Sequence, residues 1–359
     1  MKIKLFTPGP TEIPEQVLTK CGEQVIHHRS DEFRKILKSA GDNLKYIFQT
    51  EQPVLQLAAS GTGGMEALFV NLFSPGEKII TVNNGKFSQR WVDMPCTFGM
   101  NVTEIRLDWG KSPDAGQIID SLRRNKDVKG VILTHCETST GTATDIKTIA
   151  GAVKDNSDAL VCVDGISAVG ALEFRFDEWK IDACVSASQK GFMCPPGLAF
   201  VCLSKNAAER MQNPGIPRYY FDLRKAYQAL ASGDTPWTPA ISLISGAETA
   251  LRMMRNEGIE NIWSRHHKLA EKVRNGVKAL GLNLFSEYPS DSVTAVNLPD
   301  NLSWEKFTKN LKYQQGIQLA GGQGKFKGKI FRIGHMGGYT ESDIDFLLSG
   351  IREALKTCL

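Results

Sequence analysis

Three places in the chain hold residue types that could do chemistry if a fold brought them together. Lys190 stands in Ser186-Ala187-Ser188-Gln189-Lys190-Gly191, among small or polar neighbours, and no acid is nearer in sequence than Asp182. A lysine without a carboxylate partner can have its pKa lowered and become a nucleophilic amine. Asp164 ends the apolar run Leu160-Val161-Cys162-Val163, and in open α/β sheets ligands bind off the carboxyl ends of the strands. Ser60-Gly61-Thr62-Gly63-Gly64 follows the apolar run Val54 to Ala58 and leads into a helical pattern expected from Met65. A glycine-rich turn at a helix N-terminus offers unpaired backbone N–H groups and the positive end of the helix dipole, a cup for phosphate.

Each feature alone has an ordinary alternative: a surface lysine, a helix cap, a tight strand-to-helix turn. A dinucleotide fold fails for the glycine segment, because G-x-G-x-x-G counted from Gly61 needs glycine where Glu66 stands, and Asn83 and Asn84 occupy the region where a ribose-binding acid is expected. No G-x-x-x-x-G-K-[ST] run marks a nucleotide P-loop either, since the triplet Gly110-Lys111-Ser112 has Ile105 where the first glycine is needed. In one parallel-sheet domain the three features together meet the needs of pyridoxal 5′-phosphate. The lysine would form the Schiff base, the aspartate would keep the ring nitrogen protonated, and the cup would take the phosphate.

The elements that must position these residues are legible in the hydrophobic pattern. Between about 53 and 203 the runs Val54 to Ala58, Lys78 to Val82, Val102 to Leu107, Gly130 to Thr134, Leu160 to Val163, Ala183 to Ser186 and Leu198 to Leu203 read as buried strands. Amphipathic segments such as Met65 to Phe73, Ala115 to Arg124 and Ile146 to Asp155 lie between the earlier ones. This alternation means a mostly parallel sheet covered by helices on both faces. After about residue 240 come a long helical stretch, Ser242 to Leu280, interrupted near Gly258, then strand-like Ser292 to Asn297, a helix near Trp304 to Gln315, strand-like Ile330 to Ile333, and a last helix from Glu341. Thr340 and Asp343 resemble a capping box at its start. The expected organisation is an N-terminal arm, 1–15, a large α/β domain, 16–241, and a smaller α+β domain, 242–359.

Composition narrows the class of protein. Hydrophobic residues are 42% and charged residues 23% of 359, ordinary globular usage that excludes disorder and a disulfide-stapled miniprotein. The 33 glycines exceed the roughly 7% of average usage and suggest backbone brought close to a ligand. The net charge of +4 arises from interleaved charges, as at Arg123-Arg124-Asn125-Lys126-Asp127, and no basic run alternates with aromatics, which argues against a nucleic-acid partner. Eight scattered cysteines show no metal-ligand spacing and read as thiols of a reducing compartment. With no apolar signal core and no apolar run near 18 residues, a cytoplasmic protein without a membrane partner is expected.

An ordered set of motifs adds a resemblance. Thr7-Pro8-Gly9-Pro10-Thr11, Ser60-Gly61-Thr62-Gly63, Glu137-Thr138-Ser139-Thr140-Gly141, Val163-Asp164-Gly165, Ser188-Gln189-Lys190 and Phe331-Arg332-Ile333-Gly334 resemble the class V aminotransferases of fold type I, in particular the alanine–glyoxylate and serine–pyruvate branch. The resemblance runs over nearly the whole chain. It implies a large domain with a mostly parallel seven-stranded sheet and a smaller C-terminal α+β domain. It makes Lys190 the Schiff-base lysine, Asp164 the partner of the ring nitrogen, and Thr62, Gly63 and Gln189 phosphate contacts. Phe87 falls where the family stacks an aromatic ring on the cofactor. Thr138 lies beside the ring oxygen and Ile166 under the ring. Arg332 would grip the substrate carboxylate with its planar fork, and Gly9 would border the substrate. Thr235 and Thr238 resemble a segment that reaches the phosphate of a neighbouring subunit, which implies a homodimer. The chain departs from some relatives there, with threonine where tyrosine can stand, and at Gly64, where histidine can follow the cup.

The resemblance implies a ping-pong transfer from a small amino acid, alanine or serine, to glyoxylate or pyruvate, because only one carboxylate-gripping arginine is evident. Three alternatives share the fold: another donor such as aspartate or a larger biosynthetic amine, a cysteine desulfurase or lyase, and a protein that keeps the cofactor without turnover. The desulfurase needs a nucleophilic cysteine in the second domain, and none lies between Cys202 and Cys358. Lys190, Asp164 and Arg332 together speak for turnover. His27, His28 and Arg29 belong to a segment that could approach the pocket or cover a surface helix.

Overall fold

The seven apolar runs form one sheet in the computed structural model, which describes residues 3–212 and 215–358. Its strands are β1 (Val54–Ala58), β2 (Lys78–Asn83), β3 (Asn101–Arg106), β4 (Val128–Thr134), β5 (Leu160–Asp164), β6 (Ala183–Ala187) and β7 (Leu198–Leu203). Their spatial order is β1-β7-β6-β5-β4-β2-β3. Neighbours from β6 to β3 are parallel, and β7 alone runs antiparallel to both strands beside it. Side chains alternate between two cores: Val161 and Val163 of β5 face one, Leu160 and Cys162 the other. Burial on both faces is why these strands read as continuous apolar runs.

Helices close both faces. Helix Gly61–Leu72 covers one side with Leu68, Phe69 and Leu72. On the other lie helices Asp31–Phe48 and Ile241–Glu257 with Leu37, Leu44, Ile244 and Leu251. Ser30 caps the first of these through a hydrogen bond from the Phe33 N–H, a local signal that the strand-centred sequence reading passes over.

The C-terminal part builds a second sheet of β8 (Val293–Asn297), β9 (Ala320–Gly321) and β10 (Ile330–Gly334), in the order β8-β10-β9 and antiparallel throughout. Helices Ile259–Ala279, Trp304–Gln314 and Glu341–Cys358 share its core, which contains Leu269, Val273, Phe307, Phe331, Ile333 and Leu347. Thr340 and Asp343 form the expected reciprocal cap: the Thr340 N–H donates to Asp343 Oδ2 (2.8 Å) and the Asp343 N–H to Thr340 Oγ1 (3.4 Å). Helix Ile241–Glu257 follows the expected boundary at 241/242, yet its buried side chains join the core of the large sheet. Helix Ile259–Ala279 spans both cores, with Ile259 and Ile262 in the first and Leu269 onward in the second. Among the described residues no helix is long and apolar enough to cross a membrane.

The N-terminal arm is stitched to the second sheet. Lys4–Leu5 pairs parallel with Ile317–Gln318, and the Gly334 N–H donates to the Phe6 carbonyl at 2.7 Å. Phe6 is fully buried and stacks on Tyr339 at 5.1 Å. The arm is thereby delivered to the end of β10, beside Arg332. Replacing Phe6 by alanine should cost about 3–5 kcal/mol, the usual price of emptying a buried phenylalanine site, and release the arm. A lower unfolding transition together with rapid proteolytic nicking near residues 3–15 is the expected outcome; an unchanged digestion pattern would show that the strand pairing alone holds the arm.

Candidate active site

Ser60 starts the helix earlier than the sequence pattern suggests. Its side chain accepts the Gly63 N–H at 3.4 Å, and the first helical residue is Gly61, not Met65. The glycines therefore form the first turn itself, where amides have no intrahelical acceptor. Close packing explains the choice of residue. A methyl group on Gly61 would lie 2.6 Å from Ile166 Cδ1, and one on Gly64 2.7 Å from Val185 Cγ1. Smallness at these positions lets the helix N-terminus approach the carboxyl ends of β5 and β6, where Asp164 and Lys190 emerge.

Those groups surround a cavity of about 310 Å³, lined among others by Gly9, Thr62, Phe87, Thr138, Asp164, Ile166, Gln189 and Lys190. The Lys190 ammonium donates to the Pro8 carbonyl at 2.7 Å, and no carboxylate bonds it. Burial, assisted by the charge of Arg332, brings its pKa down from 10.5 to about 8. Gly9 presses directly on this side chain: a methyl group there would sit 2.5 Å from Lys190 Nζ, and its φ of +147° also favours glycine.

Asp164 is buried, and burial raises its carboxyl from 3.8 to about 6 against the pull of two hydrogen bonds. The Ile166 N–H reaches Oδ1 at 2.9 Å, and the Trp91 indole N–H reaches Oδ2 at 3.0 Å. Thr138 Oγ1 is 2.6 Å from Ser167 Oγ, so each hydroxyl fixes the other beside the cavity.

Arg332 lies behind Thr138. Its Nε and one terminal nitrogen donate to the Gly321 carbonyl at 3.0 and 2.9 Å, and the other terminal nitrogen donates to the Thr138 carbonyl at 3.2 Å. Of the five donors of a guanidinium, these bonds occupy three. Burial lowers its pKa from 12.5 to about 10, with Glu137 opposing, so it remains a cation at neutral pH.

Three contributors escaped the sequence reading. Trp91 is one. Arg90 is the second: it donates to Thr62 Oγ1 at 3.0 Å and lies 5.0 Å over the Phe87 ring, which adds a cation to the cup. The third is Glu137, fully buried, whose carboxylate accepts the backbone N–H groups of Phe87 (3.1 Å), Ser88 (2.7 Å) and Ser139 (3.0 Å) and the Ser139 hydroxyl (2.6 Å). It fastens the loop of Phe87 to the loop of Thr138. The Gln-Arg-Trp sequence just after an Asn-Gly turn is the one local trace of this helix start, since polar and aromatic residues there have no apolar period to obey.

Thr235 and Thr238 lie elsewhere in the chain, lining a separate hollow with Tyr220, Trp237 and Leu55. Thr235 Oγ1 donates to the Trp237 carbonyl at 2.8 Å. Arg29 forms an ion pair with Asp234, so the His27-His28-Arg29 segment borders this hollow and not the cavity of Lys190. No cysteine lines that cavity, and among the described residues no group of three or more His, Cys, Asp or Glu could hold a metal.

The cavity fits pyridoxal phosphate on its own chemistry. One wall carries Gly61 and Thr62 at the helix N-terminus with Arg90 and the side chain of Gln189, while the Gly63 N–H is taken by Ser60 and Gly63 is not among the lining residues; the opposite end carries a carboxylate and the middle an amine of lowered pKa. The comparisons with known proteins agree. The family model "Aminotransferase class-V" matches residues 3–332. A soluble hydrogenase 42 kDa subunit of Anabaena cylindrica is 41% identical over 96% of this chain and 90% of its own length. An L-aspartate–glyoxylate aminotransferase of Paracoccus denitrificans is 38% identical over 98% of this chain and 89% of its own. The crystal structure of an alanine–glyoxylate aminotransferase from Nostoc sp. superposes with a TM-score of 0.94 at 27% identity, covering 99% of this chain and 96% of that one. Motif, fold and cavity converge over almost the full length, and the chain belongs to the class V aminotransferases, a pyridoxal-phosphate-dependent enzyme of fold type I.

Proposed function

We propose that this aminotransferase moves the amino group of a small amino acid, alanine or serine, to glyoxylate or pyruvate in two ping-pong half-reactions, as a cytoplasmic homodimer. The observation that carries the reading is Lys190: a buried amine of lowered pKa, bonded to a carbonyl, with the Asp164 carboxylate in the same cavity and an arginine that no carboxylate bonds behind its wall. When bound, pyridoxal phosphate supplies an aldehyde that condenses with amines and a ring that takes up the electron pair left on the α-carbon. The chain's own residues do the rest. The helix N-terminus at Gly61 and Thr62, with the Thr62 hydroxyl, Gln189 and Arg90, would hold the phosphate dianion. Asp164, as a carboxylate, keeps a proton on the ring nitrogen. Ile166 and Phe87 confine the ring, and Thr138 donates toward its oxygen. Arg332 receives the substrate carboxylate on its two remaining donors, which leaves the α-proton within reach of Lys190 as general base. Gly9 leaves room for both the amine and the substrate.

The acceptor and donor follow from charge. Both aminotransferase relatives named above use glyoxylate in their names, while their donors differ. In this cavity Arg90 is tied to Thr62 and Phe87 at the phosphate end, so Arg332 is left as the cation for a single carboxylate. Small monocarboxylic donors satisfy it. Dimerisation is supported by an exposed aromatic surface beside Thr235: Tyr219 stacks on Trp237 at 5.1 Å and is 70% exposed. A partner there would bring Thr235 and Thr238 against its own cup.

Three measurements test these points. Amine-directed labelling of the cofactor-free protein, followed at the Lys190 peptide, should rise with pH around a midpoint near 8, because only the deprotonated amine reacts; a midpoint near that of an ordinary lysine would contradict the burial argument. With glyoxylate as acceptor, kcat/KM for alanine or serine should exceed that for aspartate or glutamate by at least tenfold and vanish in Lys190→Ala; efficient aspartate turnover would overturn the donor assignment. Sedimentation should give a species of twice the chain mass, and Tyr219→Glu should shift it toward the monomer.

A further inference from the structure

The fully buried indole of Trp91 serves no step described above, yet it makes a specific contact. Trp91 sits in the first turn of helix Arg90–Thr97, its backbone N–H donating to the Ser88 carbonyl at 3.0 Å. Its ring meets the Phe69 edge at 5.4 Å and 61°. The indole is fully buried in this packing, and its Nε1–H donates to Asp164 Oδ2 at 3.0 Å. A core tryptophan needs only some acceptor for its N–H. Here that acceptor is the carboxylate at the end of β5 on which the cofactor reading depends.

We infer that Trp91 is a positioning residue for the ring-nitrogen anchor: its indole N–H, with the Ile166 amide, holds Asp164 as a carboxylate in one orientation. The inference rests on the pyridoxal phosphate reading and deepens it. Each oxygen of Asp164 receives one N–H, so a neutral acid would have to place its proton on an oxygen that already faces a donor. The remaining lone pairs are left for a ring nitrogen. Burial works in the opposite direction, and Glu137 adds to it, whereas Lys190 supports the charge. The balance is close, which is where one charge-assisted hydrogen bond decides the outcome. An indole suits the task because it donates only and does not titrate.

The test is the affinity of the stripped protein for added pyridoxal phosphate, measured by absorbance titration in a double-mutant cycle. Trp91→Phe should bind the cofactor about tenfold more weakly, the factor that corresponds to roughly 1.4 kcal/mol. In an Asp164→Ala background the same substitution should cost nothing further, since no acceptor remains. The cycle cancels any general loss of packing, because the same ring is replaced in both backgrounds, and melting of the cofactor-free forms measures that loss separately. Affinity should also begin to fall at a higher pH on acidification in Trp91→Phe, because losing a donor raises the Asp164 pKa. Equal weakening in both backgrounds, or unchanged affinity and pH dependence, overturns the inference alone. A wild-type protein that takes up no pyridoxal phosphate overturns the cofactor reading and the inference with it.

Discussion

An amine buried without a counter-ion is the constraint on which the rest of this structure depends. Lys190 is bonded to a neutral carbonyl of the N-terminal arm, so its charge is stabilised by one dipole while desolvation works against it. A carboxylate in place of Pro8 O would restore an ordinary ammonium. Keeping that partner neutral requires the arm to be where it is, and the arm is held by Phe6 against Tyr339 and by pairing with Ile317–Gln318. The reactivity of a residue after β6 is therefore set by packing in the second sheet. Gly9 completes the arrangement, since any side chain there would occupy the position of the amine.

A second buried charge is handled in the opposite way. Glu137 is fully enclosed but meets four donors, three of them backbone amides. Such a group is expensive to bury and rigid once satisfied. Its donors belong to the segments that carry Phe87 and Thr138, and the segment of Phe87 continues directly into the helix of Arg90 and Trp91. One carboxylate thus fixes the spacing between the wall that would stack on a ring and the wall that would bond its oxygen. The two segments follow the paired strands β2 and β4, and beyond the strand ends Glu137, with the Lys86 N–H donating to Ser139 Oγ at 3.0 Å, holds them together.

The sequence exposed the features that obey a period or a motif. All seven strands of the large sheet appear as apolar runs, and their observed ends differ from the expected ones by at most two residues, with Val54–Ala58 and Leu198–Leu203 unchanged. Lys190, Asp164, Thr62, Phe87, Thr138 and Ile166 were legible as motif positions and line one cavity. The helix start at Gly61 was hidden because glycine lowers helix propensity, while the reason for glycine there, contact with Ile166 and Val185, is tertiary. Trp91, Arg90 and Glu137 were missed for the same cause: each acts through a partner more than 20 residues away in sequence. Thr235 and Thr238 line a separate hollow and not this cavity.

Arg332 shows how the two strategies meet. Its fork is occupied by two carbonyls, Gly321 and Thr138, and its only carboxylate neighbour, Glu137, acts at longer range and is already saturated by its own donors. The guanidinium is oriented by dipoles without being neutralised. Had Glu137 bonded it directly, the pair would have cancelled and a substrate carboxylate would find no net charge. Because the buried acid directs its lone pairs to backbone amides and the Ser139 hydroxyl, the positive charge of Arg332 is left unneutralised, and the same charge helps to lower the Lys190 pKa. Separating the charges from one another, and satisfying each with neutral groups of the fold, leaves an amine of lowered pKa in the cavity and an unneutralised guanidinium behind its Thr138 wall.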